Sequence, residues 1–261
     1  MHPMRHPLAV TLSVWKALFL REALSRLMAA RGTWFWLLCE PVFHATYLMF
    51  MFSVIRVRVI GGIDTVVWVM VGLLAFLMFR RTGTQIMNAL GANQALFAYR
   101  QVRPIDTLLV RGALEGFLMI IVSGVLSLGV ALSGHGVVPI DPLRILKALL
   151  GLWLLGVGFG CVASVAIALV PELGRIIKLT MMPLFFVSGV MFPLAIVPQP
   201  YLAWMLLNPI AHGLEAARSG VAPYYHAVPG LNPDYLYGFA LVSCFLGLLL
   251  HRRFETRLVA Q

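Results

Sequence analysis

Charged residues are scarce in this sequence, and their scarcity indicates the class of protein. Only 11% of the 261 residues are charged, whereas soluble domains average about 25%. A chain that is 61% hydrophobic has more apolar surface than a soluble core of this size can bury. The bilayer accepts such surface, at about 20 apolar residues for each helical crossing. The composition therefore predicts an all-α polytopic membrane protein.

Motifs for catalysis and metal binding are missing as well. The sequence contains no G-x-x-x-x-G-K-[ST] motif for phosphate binding, no G-x-S-x-G and no H-E-x-x-H. Its three cysteines lie far apart in apolar runs and predict neither a metal site nor a disulfide framework. We therefore expect a chain that is not an enzyme, with no catalytic residue, no metal and no cofactor of its own.

A cleavable signal peptide is not evident, because charges occur throughout residues 1–31. The net charge of +10 comes from basic residues that flank the apolar segments, as topology signals do, so we expect no nucleic-acid partner. Most lysines and arginines fall on one side of the membrane if both termini are cytoplasmic. The positive-inside rule therefore favours that orientation.

The apolar runs predict six crossings, which divide the chain into three parts. The crossings fall at about residues 34–55, 62–79, 107–132, 143–170, 176–196 and 234–250. They form a transmembrane domain over residues 33–253, after a cytoplasmic amphipathic helix in residues 1–32 and before a cytoplasmic tail at 254–261.

Residues 7–30 carry too many charges to span a membrane. Leu8, Leu12, Trp15 and Phe19 share one helical face, although Arg26 intrudes on it. This pattern favours an interfacial helix on the cytoplasmic leaflet over a frayed tail.

The segment 197–233 differs from the crossings. Its apolar run is of middling length and is broken by Pro200 and Pro209, so it predicts re-entrant or interfacial helices on the external side, before the last span. Six aromatic residues surround it: Tyr201, Trp204, Tyr224, Tyr225, Tyr235 and Tyr237. They fit either an aromatic belt at the headgroups or a surface on which sugar rings stack.

Polar side chains inside apolar runs are costly and therefore informative. Glu40 and His44 lie one helical turn apart in the first crossing, and Glu115 lies inside the third. Each carboxylate either pairs with a buried partner or faces a cavity. His212 and Glu215, at i and i+3, fit a hydrogen-bonded pair that lines a cavity better than two metal ligands.

The stretch ANQALFAYRQVRPIDT at 92–107 is unusually polar for its place between two apolar runs. On the predicted topology it is the largest internal cytoplasmic loop. Leu96, Phe97 and Tyr99 are expected to face the cytosol beside Arg100 and Arg103, a combination typical of protein docking sites. A transporter without a nucleotide site needs a separate motor, so the loop is a candidate docking site for one; a solvated linker is the alternative.

Six strings of this sequence occur in the order and spacing of a known family. They are FLREALSR (19–26), CEPVFH (39–44), NQALFAYRQVRPIDT (93–107), VPEL (170–173), PLFFVSGVMFPL (183–194) and NPIAHGLEAARSG (208–220). In these strings the chain resembles ABC-2 type permease subunits, in particular the KpsM-like subunits of group 2 capsular polysaccharide exporters. The string at 93–107 is the most specific, and the resemblance covers nearly the whole chain.

The resemblance implies a permease subunit of an ATP-driven exporter that moves lipid-anchored capsular polysaccharide across the bacterial inner membrane. Two copies of the chain would pair around a channel, above two copies of a separate ATPase that binds Mg-ATP. Periplasmic and outer-membrane export proteins would carry the polymer onward. The residues implied at the ATPase coupling site are Asn93, Gln94, Leu96, Phe97, Tyr99, Arg100, Arg103, Pro104 and Asp106.

A polymer that slides needs wide, weak and repeated contacts, so aromatic faces and scattered donors are the candidate channel lining. The candidates are Trp34, Trp36, Glu40, His44, Tyr47, Trp68, Arg80, Arg81, Glu115, Trp153, His212, Glu215 and Arg218. The aromatic residues among them fit ordinary packing or lipid-facing positions equally well. Arg80 and Arg81, near the cytoplasmic mouth, could attract an anionic anchor.

Other functions stay open at this point. One is a sibling exporter of O-antigen or teichoic-acid polymer, or of a small lipophilic molecule. Another is an intramembrane lipid-modifying enzyme, for which His212 and Glu215 are the single hint. A third is a passive scaffold for capsule enzymes. Copurification separates them, because an export permease should bring down a P-loop ATPase.

Overall fold

The computed structural model describes residues 7–28, 33–55, 59–98, 102–222, 225 and 228–259. Helices dominate these residues, which confirms the all-α class. They are α1 (Pro7–Met28), α2 (Thr33–Ile55), α3 (Thr65–Met87), α4 (Ala89–Ala92), α5 (Pro104–Leu132), α6 (Pro142–Leu169), α7 (Leu173–Val187), α8 (Gln199–Met205), α9 (Pro209–Ser219) and α10 (Pro233–Val259). Short 3₁₀ helices cover Gln94–Ala98 and Leu194–Ile196.

Helix α3 is the buried centre of the molecule. In its most apolar stretch 78% of the residues are buried, compared with 17% in α10. It packs against α5 and α6 along its length, and also against α2 and α9. Because apolar residues cover it on all sides, α3 has the character of a core helix rather than an amphipathic one.

A small hairpin precedes α3. Strands β1 (Val59–Ile60) and β2 (Ile63–Asp64) pair antiparallel, with Ile60 opposite Ile63. Gly61 and Gly62 connect them with φ angles of 58° and 86°, the left-handed region that a two-residue type I′ turn requires. The Asp64 carboxylate then accepts a hydrogen bond from the Val66 amide, 2.9 Å long, and starts the helix.

Helix α6 packs closely between α3 and α10. A Cβ at Gly156 would lie 2.8 Å from the Phe79 carbonyl oxygen of α3. A Cβ at Gly158 would lie 2.7 Å from the Cys244 amide nitrogen of α10. Glycine at these positions lets the helix backbones approach, as small residues do in other membrane helix pairs.

Four helices in the described part of the chain are long and apolar enough to span a membrane: α3, α5, α6 and α10. The helices that correspond to five of the predicted crossings begin or end a few residues away from the predicted bounds. The largest shifts are at α3, which continues past Arg81 to Met87, and at α10, which continues to Val259.

The predicted fifth crossing, 176–196, differs most from the structure. It is a continuous helix only as α7, whose 15 residues are about 22 Å long at 1.5 Å per residue, shorter than the roughly 30 Å of a hydrocarbon core. After Val187 the chain turns at Gly189, where φ is 73°. The count of six crossings therefore stays a prediction.

Two short helices, α8 and α9, lie where re-entrant or interfacial helices were expected. Asn208 caps α9 by accepting a hydrogen bond from the Ile210 amide at 3.1 Å. The Asn208 amide group also donates to the Ser188 hydroxyl at 2.9 Å, which ties the start of α9 to the turn after α7. Helix α9 is mostly buried against α6, α3 and α10, so it belongs to the core.

Candidate functional site

The 92–107 segment is folded onto the end of the helical bundle. The Asn93 side chain is buried and donates to the Ala89 carbonyl at 3.0 Å, which joins the segment to α4. Phe97 is only 8% exposed and packs in a cluster with Leu90, Leu108 and Leu258. The expectation that Phe97 faces the cytosol is therefore wrong, because its ring fills the gap between the segment, α5 and α10.

Among the described residues of this segment, the exposed groups are small or polar. Gln94 and Ala95 are exposed, Leu96 is partly buried, and Arg103 is exposed at the start of α5. Tyr99 and Arg100, both predicted coupling residues, lie outside the described residues. The described part of the segment thus offers a polar face with one arginine, rather than a cluster of exposed aromatic rings.

Asp106 connects the segment to the N-terminal helix. Pro104 occupies the first turn of α5, where its missing N–H costs nothing. The Asp106 carboxylate accepts from the Arg103 amide at 3.2 Å and from the Trp15 indole N–H at 2.8 Å. The same side chain therefore caps α5 and holds α1 against it.

A second contact fixes α1 one turn further along α5. Arg111 forms an ion pair with Glu22, with Nη2 and Oε1 2.6 Å apart, and its Nε donates to the same oxygen at 2.7 Å. Arg21 donates from Nη1 to the Asn93 side chain at 3.4 Å. Helix α1 thus contacts both α5 and Asn93 of the 92–107 segment.

Sequence reasoning missed these contacts between α1 and α5, which we call the α1 strap: Trp15 with Asp106, and Glu22 with Arg111. Arg111 had been used only as a topology signal, and Glu22 only as part of the string FLREALSR. Trp15 had been placed on the apolar face of α1, where its indole N–H also implies a polar partner. That N–H and the acidic residue within a basic helix were the available signals, but neither says which partner it meets.

Two indentations flank the segment at this end of the bundle. One of about 360 Å³ is lined by Arg103, His251, Arg252 and Glu255, with Pro104, Ile105 and Leu248. A smaller one of about 170 Å³ lies between α4, α6 and α10. The Arg103 side chain at the first rim is well placed to pair with carboxylates of another protein, since a guanidinium presents a fork of donors.

Some of the candidate channel residues lie on one exposed face of α2. Trp36 is 69% exposed and Tyr47 is 54% exposed, and Glu40 and His44 are exposed between them. His44 lies within electrostatic range of Glu40 and of Arg80, which is exposed on α3. Trp34 belongs to α2, but its side chain lies outside the described residues. The structure therefore brings together an aromatic and polar face on α2 and Arg80.

Other candidates are buried and make their contacts within the chain. Glu115 is buried and pairs with Arg81, with Nε and Oε2 3.4 Å apart. The Trp153 indole N–H donates to the Gly112 carbonyl at 2.9 Å. Both ring nitrogens of His212 contact backbone groups: Nε2 lies 2.7 Å from the Leu206 carbonyl, and Nδ1 accepts from the Asn232 amide at 2.9 Å.

The remaining candidates form one buried polar network. The Arg218 guanidinium lies over the Trp68 ring, 3.4 Å from its centroid, and its Nη1 lies 2.9 Å from Glu215 Oε1. Nη1 and Nη2 also donate to the carbonyls of Gly189 and Val190, at 2.9 and 3.1 Å. The network crosses from α9 to α3 and to the turn after α7.

Tyr225 completes this network and was missed as a partner of Glu215. Its hydroxyl donates to Glu215 Oε2 at 2.7 Å. Burial, and then the nearby Glu215 carboxylate, raise the pKa of Tyr225, so the phenol stays protonated and keeps donating. Trp68, Glu215 and Arg218 are almost wholly buried in this conformation, so they present no surface to a channel.

These observations define a class: a polytopic α-helical membrane protein. Within the described residues, no group of three His, Cys, Asp or Glu side chains could hold a metal ion. The contacts of His212 also leave neither ring nitrogen free to bind a metal together with Glu215.

Comparison with known proteins identifies the family to which the chain belongs. The family model of ABC-2 type transporters matches residues 13–221. The chain is 34% identical to the polysialic acid transport protein KpsM of Escherichia coli, over 92% of this chain and 93% of that one. It is 30% identical to the capsule polysaccharide export inner-membrane protein CtrC of Neisseria meningitidis serogroup A, over 92% and 90%. For BexB of Haemophilus influenzae the identity is 26%, over 83% and 82%. The chain belongs to the ABC-2 type transporter family.

Proposed function

We propose that this chain is the permease subunit of an ATP-driven exporter that moves lipid-anchored capsular polysaccharide across the bacterial inner membrane. The observation that carries the proposal is the match to the polysialic acid transport protein, 34% identical over 92% of this chain. Two further groups of relatives are named for capsule polysaccharide export. The exposed aromatic face of α2 supports a polymer as the substrate, because aromatic faces hold sugar rings weakly enough to let them slide.

The proposed complex contains two copies of this chain and two copies of a separate ATPase that binds Mg-ATP. Both termini and the 92–107 segment face the cytoplasm. Periplasmic and outer-membrane export proteins receive the polymer on the other side. The absence of a phosphate-binding motif from the sequence supports a separate ATPase, because the permease then needs a partner to supply the energy.

Coupling in this proposal passes through the residues around Gln94 and Arg103. ATP-driven closure of the ATPase dimer moves the polar face of the segment, and the α1 strap makes α5 follow. Arg103 pairs with acidic groups of the ATPase, and Asn93 and Phe97 act from within by holding the segment to α4, α5 and α10. Because helix α3 leads directly into this region, motion there reaches the centre of the bundle.

The substrate path in this proposal is lined by the exposed face of α2. Trp36 and Tyr47 offer aromatic surfaces, and Glu40 and His44 offer hydrogen-bonding groups between them. Arg80 lies near this face and carries the charge that an anionic polymer or anchor would meet. The buried candidates Trp68, Glu115, Trp153, His212, Glu215 and Arg218 would need a different conformation to contact the polymer.

A charge-reversal experiment tests the coupling site. Gln94→Glu combined with Arg103→Glu should lower the amount of copurifying ATPase by about fivefold or more, equivalent to about 1 kcal/mol of binding free energy. Surface polysaccharide should fall with it. Arg144→Glu is the matched control, since Arg144 is also an exposed arginine near a helix start but belongs to α6, not to the segment.

The outcomes also separate the alternatives. Normal export and normal copurification after the double change would contradict the coupling role of the segment. A wild-type chain that copurifies with an ATPase but exports a polymer other than capsule would indicate an O-antigen or teichoic-acid exporter. The enzyme alternative has little support, because the His212 ring nitrogens are held by Leu206 and Asn232.

A further inference from the structure

We propose that Arg218 is a positioning residue that fastens α9 and the turn after α7 to α3, so that these elements move as one body during transport. The inference rests on the proposed function. It adds a route by which motion at the 92–107 segment reaches the opposite end of the bundle. Arg218 acts in this route through its neighbours and does not touch the substrate.

The first observation is the complete burial of a charged side chain. Arg218 has an exposed fraction of 0% and lies beside the core of the bundle. Burying a guanidinium is costly unless charges and hydrogen-bond acceptors compensate it, and an apolar side chain of similar size would serve packing equally well. A buried charge of this kind is therefore best explained by the specific partners that it holds.

The partners belong to three separate parts of the chain. Trp68 lies on α3, Gly189 and Val190 form the turn after α7, and Glu215 belongs to α9 itself. The two carbonyls and the carboxylate each accept a charge-assisted hydrogen bond, which is stronger than one between neutral groups. One guanidinium thus joins α3, α9 and the turn.

The second observation is the space that α3 leaves for the guanidinium. A Cβ at Gly72, one turn after Trp68, would collide with Arg218 Nη2, closer than real Cβ atoms come to another heavy atom. A glycine inside a long helix lowers helix stability relative to alanine. Its presence at the point where Arg218 meets α3 indicates that the approach is required there.

The third observation is the continuity of α3. From Trp68 to Met87 it is unbroken and free of proline, about 28 Å long at 1.5 Å per residue. Only Asn88 separates it from α4, which leads into the segment. The Arg218 network therefore lies at one end of a buried helix and the coupling segment at the other.

A neighbouring contact supports the same grouping. The Asn208 amide donates to the Ser188 hydroxyl at 2.9 Å, and that hydroxyl donates to the Leu184 carbonyl at 2.6 Å. The start of α9 is therefore bound to the end of α7 at a point different from the one where Arg218 holds it. The turn after α7 is therefore held to α9 at two points, by the Asn208–Ser188 hydrogen bond and by Arg218. Arg218 also contacts α3.

The test uses Gly72→Ala in the full chain with its ATPase. The added methyl displaces the guanidinium but keeps every charge and favours the helix. We expect ATP hydrolysis within about twofold of wild type and a fall in surface polysaccharide of about fivefold or more, a typical size for the loss of coupling between sites. Gly124→Ala in α5 is the matched control, since a Cβ there would meet nothing within 4 Å.

The ratio of polymer exported to ATP hydrolysed is the deciding quantity. A merely structural defect lowers both together, because less complex is assembled. Hydrogen exchange of the peptide around Gly189 and Val190 should also become faster in Gly72→Ala, which shows that the change acts at the intended place. Unchanged export by a chain with this variant overturns the inference.

A second variant keeps the test decisive if Gly72→Ala assembles poorly. This variant combines Gly72→Ala with Arg218→Lys. The lysine ammonium does not occupy the position of Arg218 Nη2, so the added methyl has room there. The double variant should therefore export more polymer than Gly72→Ala alone. If the losses of export caused by the two changes merely add, or if neither variant assembles, the network is a requirement for folding and the inference is wrong. A wild-type complex without ATPase or export contradicts the proposed function instead, before any variant is compared.

Discussion

Two regions at opposite ends of α3 hold their neighbours through charged groups, but in different surroundings. At the end near the 92–107 segment, the Arg111–Glu22 pair keeps 12% of each side chain exposed. At the other end, Arg218 and Glu215 are almost fully enclosed. Partial exposure lets water compensate when a pair opens, whereas an enclosed pair has no such substitute. We therefore expect the pair near the 92–107 segment to open at lower cost than the enclosed pair at the other end.

The largest effect is expected from a change in the enclosed Arg218–Glu215 pair. Arg218→Met removes the charged partner of Glu215 and leaves a buried carboxylate with only the Tyr225 hydroxyl, so the free energy of unfolding should fall by about 3–5 kcal/mol. Thermal unfolding in detergent and the amount of inserted chain measure it. Arg218→Met combined with Glu215→Gln should recover part of the loss. A single variant as stable as wild type would show that Arg218 contributes little.

A smaller loss of stability is expected from a change at Tyr225. Tyr225→Phe removes one hydrogen bond to a buried carboxylate, which should cost about 1.5–3 kcal/mol. Because burial and Glu215 raise the pKa of Tyr225 above its ordinary value of 10, the folded state keeps the proton longer than the unfolded state does.

This difference in proton binding gives a pH dependence. The contribution of Tyr225 is fully present below pH 10 and is lost as the pH rises further. Stability measured between pH 8 and about 11 should therefore fall more steeply for wild type than for Tyr225→Phe. Parallel curves for the two chains would exclude the contribution.

The next effect concerns the strap at the coupling end. Glu22→Gln keeps an oxygen for Arg111 but removes the charge, so the cost should be about 1 kcal/mol. Copurifying ATPase and proteolysis within α1 measure how firmly the helix stays docked. Glu172→Gln, at an exposed glutamate before the start of α7, is the matched control. Equal behaviour of the two variants would mean that the ion pair does not hold α1.

The smallest effect is expected at Trp15. Trp15→Phe keeps an aromatic ring but removes the N–H that Asp106 accepts, and because the site is exposed the cost should be about 0.5 kcal/mol. Thermal unfolding of the two chains side by side would detect it. A cost as large as that of Arg218→Met would show that both ends of α3 are held equally firmly.

The sequence allowed the helical class and most helices to be predicted, because apolar length alone specifies them. It also located α1 and the pair α8 and α9, through charge density and through Pro200 and Pro209. The early end of α7 was missed because the apolar run continues through Gly189, and hydropathy does not register a turn made of apolar residues.

The candidate site could be predicted only in part. A polar residue in an apolar run indicates that a partner exists, and this holds for Glu115, Glu215 and Arg218. It does not name the partner, because Trp68 and Arg218 are far apart in the chain and meet only in the fold. Phe97 shows the opposite error: its polar neighbours implied exposure, whereas the fold gave its ring a buried place.

The close approach of α6 to its neighbours determines where the protein can bend. Since Gly156 and Gly158 bring backbones into direct contact, α3, α6 and α10 have no layer of side chains that could shear at these points. A transport cycle must then find its hinges outside this trio. The chain offers one at the strands before α3, so α2 is the element free to move against this rigid trio, while the end of α7 stays bound to α3 through Arg218.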